Sequence, residues 1–298
     1  MKTSKKGVLL TVVTPTYNRG DVLNKCYESL CAQTDSRLVW LIVDDGSTDN
    51  TYDIVSRWKS ENKISIEYYK QENAGKPQAL NKAISVCNTK LFFCVDSDDF
   101  LSSDAVESIY TAWKEAESHN CIGIVCPRFP TEIKGYEKQK IEFNMDVHMC
   151  TFSNLYNKYK FTGETGLIYK TDIIKKYPFP KFYNEKFIPE YCLYIQADND
   201  GLLFLLNNPI YKYAYLEDGY TRNNSNLIRN NPNGYIWNAH VVINNSKYFS
   251  ERLKFAAKYW IGSWLAGKKR IYKSLDNKSL MLLALPIGII AYIKKYKL

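Results

Sequence analysis

The chain has 298 residues, 45% of them hydrophobic, which is enough for a sizeable core and too ordinary a composition for disorder. Its +9 net charge is unevenly placed: from Lys247 onward there are 12 Lys/Arg against 2 Asp/Glu, leaving 28 basic and 29 acidic residues in the first 246. That distribution excludes a basic nucleic-acid face on the body, and it sets an expected boundary between a main domain (1–246) and a basic tail (247–298) suited to an anionic membrane surface.

The elements read in chain order as follows. Val8–Val13 is a short apolar run ending at Pro15, a buried first strand. Asp21–Ala32 has helical spacing, Leu38–Val43 is a second buried strand, and Thr48–Lys59 a helix. Ile64–Tyr69, Lys76–Val86 and Leu91–Val95 follow as strand, helix and strand, then Ser103–Glu117 as a helix, and after Ile122–Cys126 the pattern loosens. The rhythm predicts an α/β fold, a Rossmann-like, mostly parallel sheet with helices on both faces. Residues 130–160 carry no clear period. Leu167–Tyr169 reads as a strand, Asp172–Lys176 as a short helix stopped by Pro178, and 198–207 and 233–245 as helices. The eight cysteines form no C-x-x-C pair, which suits free thiols in a reducing compartment, and the short apolar stretch after Met1 does not read as a signal peptide.

Two acidic clusters stop two of the apolar strands, Asp44-Asp45-Gly46-Ser47 and Asp96-Ser97-Asp98-Asp99. Parallel sheets bind ligands beyond the carboxyl ends of their strands, so both clusters fall on the binding rim. A D-x-D there suits a hard divalent cation, Mn2+ or Mg2+, with one carboxylate on the metal and its neighbour free for a sugar hydroxyl. Each motif alone is also what a capped turn looks like. Asn73-Ala74-Gly75-Lys76 adds a glycine that lets backbone approach a ligand and a lysine that can meet phosphate.

In order and spacing, Thr14-Pro15-Thr16-Tyr17-Asn18-Arg19, Val43-Asp44-Asp45-Gly46-Ser47-Thr48-Asp49, Asn73-Ala74-Gly75-Lys76 with Ala79-Leu80-Asn81, and Val95-Asp96-Ser97-Asp98-Asp99 resemble family 2 glycosyltransferases. The resemblance is strong over about the first 100 residues and weaker to about residue 225. It implies the glycosyltransferase A fold, a nucleotide-sugar donor with a lean to UDP, a divalent metal and inversion at the anomeric carbon. Carried over residue by residue, it implies that Pro15 and Tyr17 lie beside the nucleobase and that Asp45 bonds to it. Asp96 would sit near the ribose and Asp98 would hold the metal, with Asp99 as a helper or a helix cap. A late loop containing Arg222 would close on the diphosphate.

Inversion needs one carboxylate to take the acceptor's proton. In Glu185-Lys186-Phe187-Ile188-Pro189-Glu190 the candidate base is Glu190, although Pro189 stands where the family has a first acid; Glu185 and Glu164 are the alternatives, and Glu190 could instead cap the next helix. Domain 1–246 is then the catalytic domain, and the expected setting is bacterial surface-polysaccharide synthesis at the cytoplasmic face of the membrane, on a glycan or lipid-linked acceptor. In the tail, Leu253, Ala257, Trp260, Ile261, Trp264 and Leu265 fall on one helical face flanked by lysines, the pattern of an interfacial helix. Ser279–Ile293 has no charge but reaches only about 22 Å, short of the ~30 Å hydrocarbon core, so it is expected to re-enter or lie on the surface. Packing of both segments as ordinary core helices is the competing expectation. Two other functions share the D-x-D: a haloacid-dehalogenase-type phosphohydrolase, which wants the motif on its first strand, and a non-catalytic nucleotide-sugar-binding protein.

Overall fold

The computed structural model describes residues 7–131, 142–143, 146–213, 224–267 and 277–297. Its contacts divide the chain into two compact units: Met1–Pro178 with Asp200–Tyr215, and Phe179–Asn199 with Leu216–Leu298, each taken over its described residues.

The first unit is built by strand–helix alternation: β1 (Leu10–Thr16), α1 (Leu23–Cys31), β2 (Leu38–Asp44), α2 (Thr51–Glu61), β3 (Ser65–Lys70), α3 (Lys76–Val86) and β4 (Leu91–Cys94). It continues with β5 (Phe100–Leu101), α4 (Ala105–Ser118), β6 (Gly123–Pro130), β7 (Met149–Cys150), α5 (Phe152–Asn157), β8 (Thr165–Lys170), α6 (Thr171–Ile174), β9 (Leu203–Leu205) and β10 (Tyr211–Tyr213). The sheet runs β3-β2-β1-β4-β8-β6-β10-β5, with β9 pairing both β6 and β7. The first four strands are parallel, and β8 runs antiparallel to β4 and β6. β1 is buried along its whole length, threonines included, which is why it shows no alternation of apolar and charged residues. Helices cover it with stripes at helical spacing, Leu23, Cys26, Tyr27 and Leu30 on α1 and Ala79, Leu80, Ala83 and Ile84 on α3.

The order 3-2-1-4 puts a topological switch point between β1 and β4, the place where sheets of this kind form their binding crevice beyond the strand ends. The β1–β4 ladder stops at Val13 opposite Cys94, and the last bond across it runs from Val95 N–H to the Val13 carbonyl (2.9 Å). Pro15 follows two residues later and faces the same way. A proline has no N–H to lose there, because β4 has already ended.

The expected helix over 198–207 is not formed. Leu203–Leu205 is instead β9, parallel to β6 and antiparallel to β7. All three side chains are buried, and an apolar run buried all round carries no period that tells strand from helix.

The second unit holds α7 (Tyr191–Ala197), α8 (Asn224–Asn230), α9 (Pro232–Asn245), α10 (Phe249–Leu265) and α11 (Lys278–Tyr292), the last continued by a π-helical turn, Ile293–Lys297. Its first segment is tied to the start of α9. Asn231 Oδ1 accepts from Lys186 N (2.7 Å) and Phe187 N (3.0 Å), and the Glu185 carboxylate accepts from Asn233 N (3.0 Å) and Gly234 N (2.8 Å). That is an N-terminal cap supplied from 48 residues away. Gly234 permits it, since a Cβ there would lie 2.2 Å from the Phe187 carbonyl oxygen.

The tail corrects the expectation for α10. Of the expected lipid face, Ala257, Trp260 and Ile261 are buried and Leu253, Trp264 and Leu265 half-buried in this unit, which α10 shares with α9 and α11. Trp260 Nε1 donates to the Met281 carbonyl (2.9 Å), and its ring stacks on Trp264 at 5.8 Å. An amphipathic stripe is the same in sequence whether it meets protein or lipid, and here it meets protein. By contacts, the tail groups with Phe179–Asn199 and Leu216–Ser246 in one compact unit.

Candidate active site

The rim of the switch-point crevice is assembled from four loops. Two are stitched together: Ser47 Oγ accepts from Asn18 N (2.9 Å), Asn18 Oδ1 accepts from Thr48 N (2.8 Å), and Asp49 Oδ2 accepts from Gly20 N (3.0 Å). Asn18 takes a left-handed φ of 50°, a conformation asparagine tolerates. This clasp leaves the Tyr17 ring about half exposed just past β1, where a flat ligand can stack on it.

Asp44 and Asp45 turn inward. Asp44 accepts from Ser47 N (2.7 Å) and from the Tyr68 hydroxyl. Asp45, 4% exposed, accepts from Gln71 Nε2 (2.7 Å), Ala74 N (2.9 Å) and Gly75 N (2.7 Å). A carboxylate has about four acceptor directions, so three are engaged in holding the 73–75 loop and about one remains for a ligand. Gly46 makes the fit possible: its φ is +87°, and a Cβ there would come within 2.9 Å of Asn73 N. The held loop sets Lys76 at the start of α3, with Nζ 2.6 Å from Asp96 Oδ1.

The acidic run after β4 splits into three environments. Burial alone would raise the Asp96 pKa, but the charges of Lys76 and then Arg128 hold it below the usual carboxylate range. Asp99 is 3% exposed and bound by Arg128 and by the Tyr211 hydroxyl (2.9 Å); burial pushes it up to about 7, with the Arg128 charge opposing. Tyr211 also accepts from Asp96 N (3.0 Å), so one phenol pins both ends of the motif. Asp99 is thus an anchor of the loop, and the N-cap position of α4 is held by Asp104 instead. Asp98 stands between them, half-buried, and among the described residues no side chain donates a hydrogen bond to it. Burial, then the negative charge of Asp96, raises its pKa. A carboxylate strained in that way is relieved by a cation, so Asp98 fits the role of metal ligand. No cluster of three or more His, Cys, Asp or Glu converges among the described residues, so a cation here would take most of its ligands from phosphate and water.

Arg128 was not legible as a site residue. It sits on β6, stacked 4.1 Å from the Tyr211 ring centre and 5.0 Å from that of Tyr213, and pairs with Glu164 (3.3 Å) as well as Asp99. Its only signal in sequence is a lone charge in an apolar strand.

Glu190 belongs to the second unit, at the N-terminus of α7, where it makes no side-chain cap and accepts from the Tyr194 hydroxyl (2.7 Å). Of the two alternatives, Glu185 has both oxygens on the start of α9 and Glu164 is paired with Arg128. Arg222 lies outside the described residues.

A doubly wound sheet with a D-x-D at its switch point, an exposed tyrosine at the end of β1 and a lysine paired with the D-x-D has the glycosyltransferase A architecture. The D-x-D follows the fourth strand and not the first, which removes the haloacid-dehalogenase reading. The chain belongs to glycosyl transferase family 2, whose profile matches residues 11–178. It is 33% identical over 115 residues to glycosyltransferase GlyG of Streptococcus pneumoniae serotype 4, covering 39% of this chain and 38% of GlyG. It is 31% identical over 178 residues to the poly(ribitol-phosphate) beta-glucosyltransferase of Bacillus spizizenii, covering 56% of this chain and 26% of that enzyme. The match thus spans well under half the length of these relatives. Among solved structures, residues 1–349 of S. aureus TarS in complex with UDP-GlcNAc align at a TM-score of 0.61 and 17% identity, over 95% of this chain and 81% of that one. The mannosyltransferase PcManGT of Pyrobaculum calidifontis, in complex with GDP-Man and Mn2+, aligns at 0.57 and 16% identity, over 97% and 76%.

Proposed function

We propose that the protein is an inverting, metal-dependent glycosyltransferase. It moves a sugar from a nucleotide donor, UDP-linked by preference, to a hydroxyl of a glycan or lipid-linked oligosaccharide in bacterial surface-polysaccharide synthesis. The observation that carries the reading is the divided acidic run at the switch point, one carboxylate ion-paired with Lys76, one anchored from behind, and Asp98 left for a cation. The relatives' names add a polymer acceptor, and the neighbours' ligands add a nucleotide sugar and Mn2+.

In this reading Tyr17 stacks on the nucleobase, beside Pro15 and the last acceptor direction of Asp45, and Asp96 meets the ribose. Lys76 exchanges part of its bond with Asp96 for a donor phosphate, and Arg222 serves the same diphosphate. Asp98 holds Mn2+ or Mg2+, which when bound neutralises charge on the departing diphosphate. The acceptor oxygen attacks the anomeric carbon as its bond to the diphosphate oxygen breaks, and the hydroxyl proton passes to Glu190. Glu190 is favoured over Glu185 because the latter is spent on the cap of α9. The proposed setting is the inner face of the cell membrane.

The test is nucleotide release from a panel of UDP-, GDP- and dTDP-sugars with Mn2+ or with excess chelator. Release is expected to be metal-dependent, and Asp98→Ala to lower turnover by at least ~100-fold, on the scale of a Lewis-acid contribution. Full activity in chelator, or wild-type turnover by Asp98→Ala at saturating Mn2+, overturns the metal assignment.

A further inference from the structure

Among the described residues of the second unit, the largest group of exposed apolar side chains lies on α11 and the turn that continues it. Leu282, Leu283, Ile287, Ile289, Ile290 and Ile293 are all exposed, with Leu282 and Ile290 at 68%. At about 100° per residue they fall within an arc of about 160°. The opposite side is inside the protein: Leu280, Met281 and Ala284 are buried, and a Cβ on Gly288 would lie 3.2 Å from Trp260 Cβ. Six large aliphatic side chains in one exposed stripe exceed the scatter of single apolar residues found on any protein surface.

We propose that this face of α11 seats the protein on an anionic lipid bilayer, with the helix lying in the plane of the interface. It deepens the localisation proposed above and is independent of the donor chemistry. The charge pattern names the occupant. Exposed Lys278 precedes the stripe and exposed Lys294 and Lys295 end it, and no Asp or Glu occurs from Lys278 to the end of the chain. Lysine ammonium groups at the edges of an apolar stripe meet lipid phosphates while the aliphatic chains sink between acyl tails. A second copy docked on the same face would bring lysines against lysines, because both ends of the stripe are basic. Lys258 lies in the same cationic neighbourhood: burial, then Lys254, pushes its ammonium down to about 8, with Lys295 adding and Glu251 opposing.

An in-plane helix also fits better than a spanning one. By length and composition Lys278–Tyr296 could cross a membrane, with 22% of it buried in the protein. Its buried side, however, is bonded to α10 through Trp260 and Met281, and α10 carries Arg252, Lys254 and Lys258. A spanning α11 would draw those charges into hydrocarbon.

The test uses the full chain and vesicles of phosphatidylcholine with and without phosphatidylglycerol. Wild type is expected to co-sediment at least ~10-fold better with the anionic vesicles, less so as salt rises. Leu283→Glu with Ile290→Glu, both at exposed positions, is expected to lower that binding ~10-fold or more with melting temperature and donor turnover unchanged. Vesicle binding by the double variant equal to wild type overturns the proposal. So does wild type resisting release by alkaline carbonate, which marks a spanning helix. A wild-type dimer that the substitutions dissolve while vesicle binding persists overturns it in favour of a second copy. Donor turnover is read separately, so failure here leaves the transferase reading standing, and the converse holds.

Discussion

Asp45→Ala tests whether the Asp45 carboxylate builds the donor loop or only touches the donor. The substitution removes the acceptor for Ala74 N, Gly75 N and Gln71 Nε2 at once. Gln71 can turn to water, but Gly75 N is buried and Ala74 N half-buried, and each unmade backbone bond of this kind costs about 1–3 kcal/mol. Water entering the space left by the carboxylate recovers part of that, so the expected loss is about 3 kcal/mol. Asp45→Asn is the control: its amide keeps one acceptor oxygen but turns an NH2 toward a backbone N–H, so it should also destabilise. Urea unfolding followed by tryptophan fluorescence suits the measurement, because Trp40 and Trp58 pack in the same unit's core. The loop also carries Lys76, so the donor KM should rise in step with the stability loss even for a donor whose base makes no bond to residue 45. A stability within ~0.5 kcal/mol of wild type for Asp45→Ala, inside the range of neutral surface changes, refutes the loop-building role.

Two further outcomes are expected. Glu190→Gln keeps the shape of the side chain but cannot take a proton, so turnover should fall ~10²–10⁴-fold with donor affinity unchanged; if Glu164→Gln shows that loss instead, the base has been misassigned. Lys258→Met should raise the melting temperature most below about pH 8. With the folded-state pKa lowered from 10.5 to about 8, the unfolded chain binds more protons between these values, so wild-type stability rises with pH there and the variant's advantage shrinks; a pH-independent difference would contradict this.

The first hundred residues were legible because every level of the sequence agrees there. Apolar strands, glycine turns and acidic stops coincide, and α3 begins and ends at the predicted residues, Lys76 and Val86. The support of the site was not legible, because it comes from far along the chain. Tyr211 reaches the acidic run across 112 residues, and nothing local to Arg128 or Tyr211 distinguishes them from an ordinary strand charge and a core tyrosine. The same limit explains β9, whose strand state comes from pairing with β6 and β7 and not from its own three apolar residues. Glu185 is the converse case: a sequence neighbour of the proposed base, it is spent on a helix that begins 47 residues later.

The tail shows which part of a charge argument survives folding. Net charge is additive along the chain, so the shift at Lys247 is a property of the tail however it packs. Which apolar stripe faces outward is not additive, because it depends on which helices pack together. α10 packs chiefly on α9 and α11, which bury the middle of its stripe. α11 packs on α10 by one side, and its large side chains outnumber the positions that side can bury. A hydropathy reading ranks α11 as the more apolar and less patterned of the two, which is what a helix buried on one side by protein and on the other by lipid should look like. The amphipathic α10 then couples the lipid-facing helix to α9, whose first turn is capped by Glu185, five residues before Glu190.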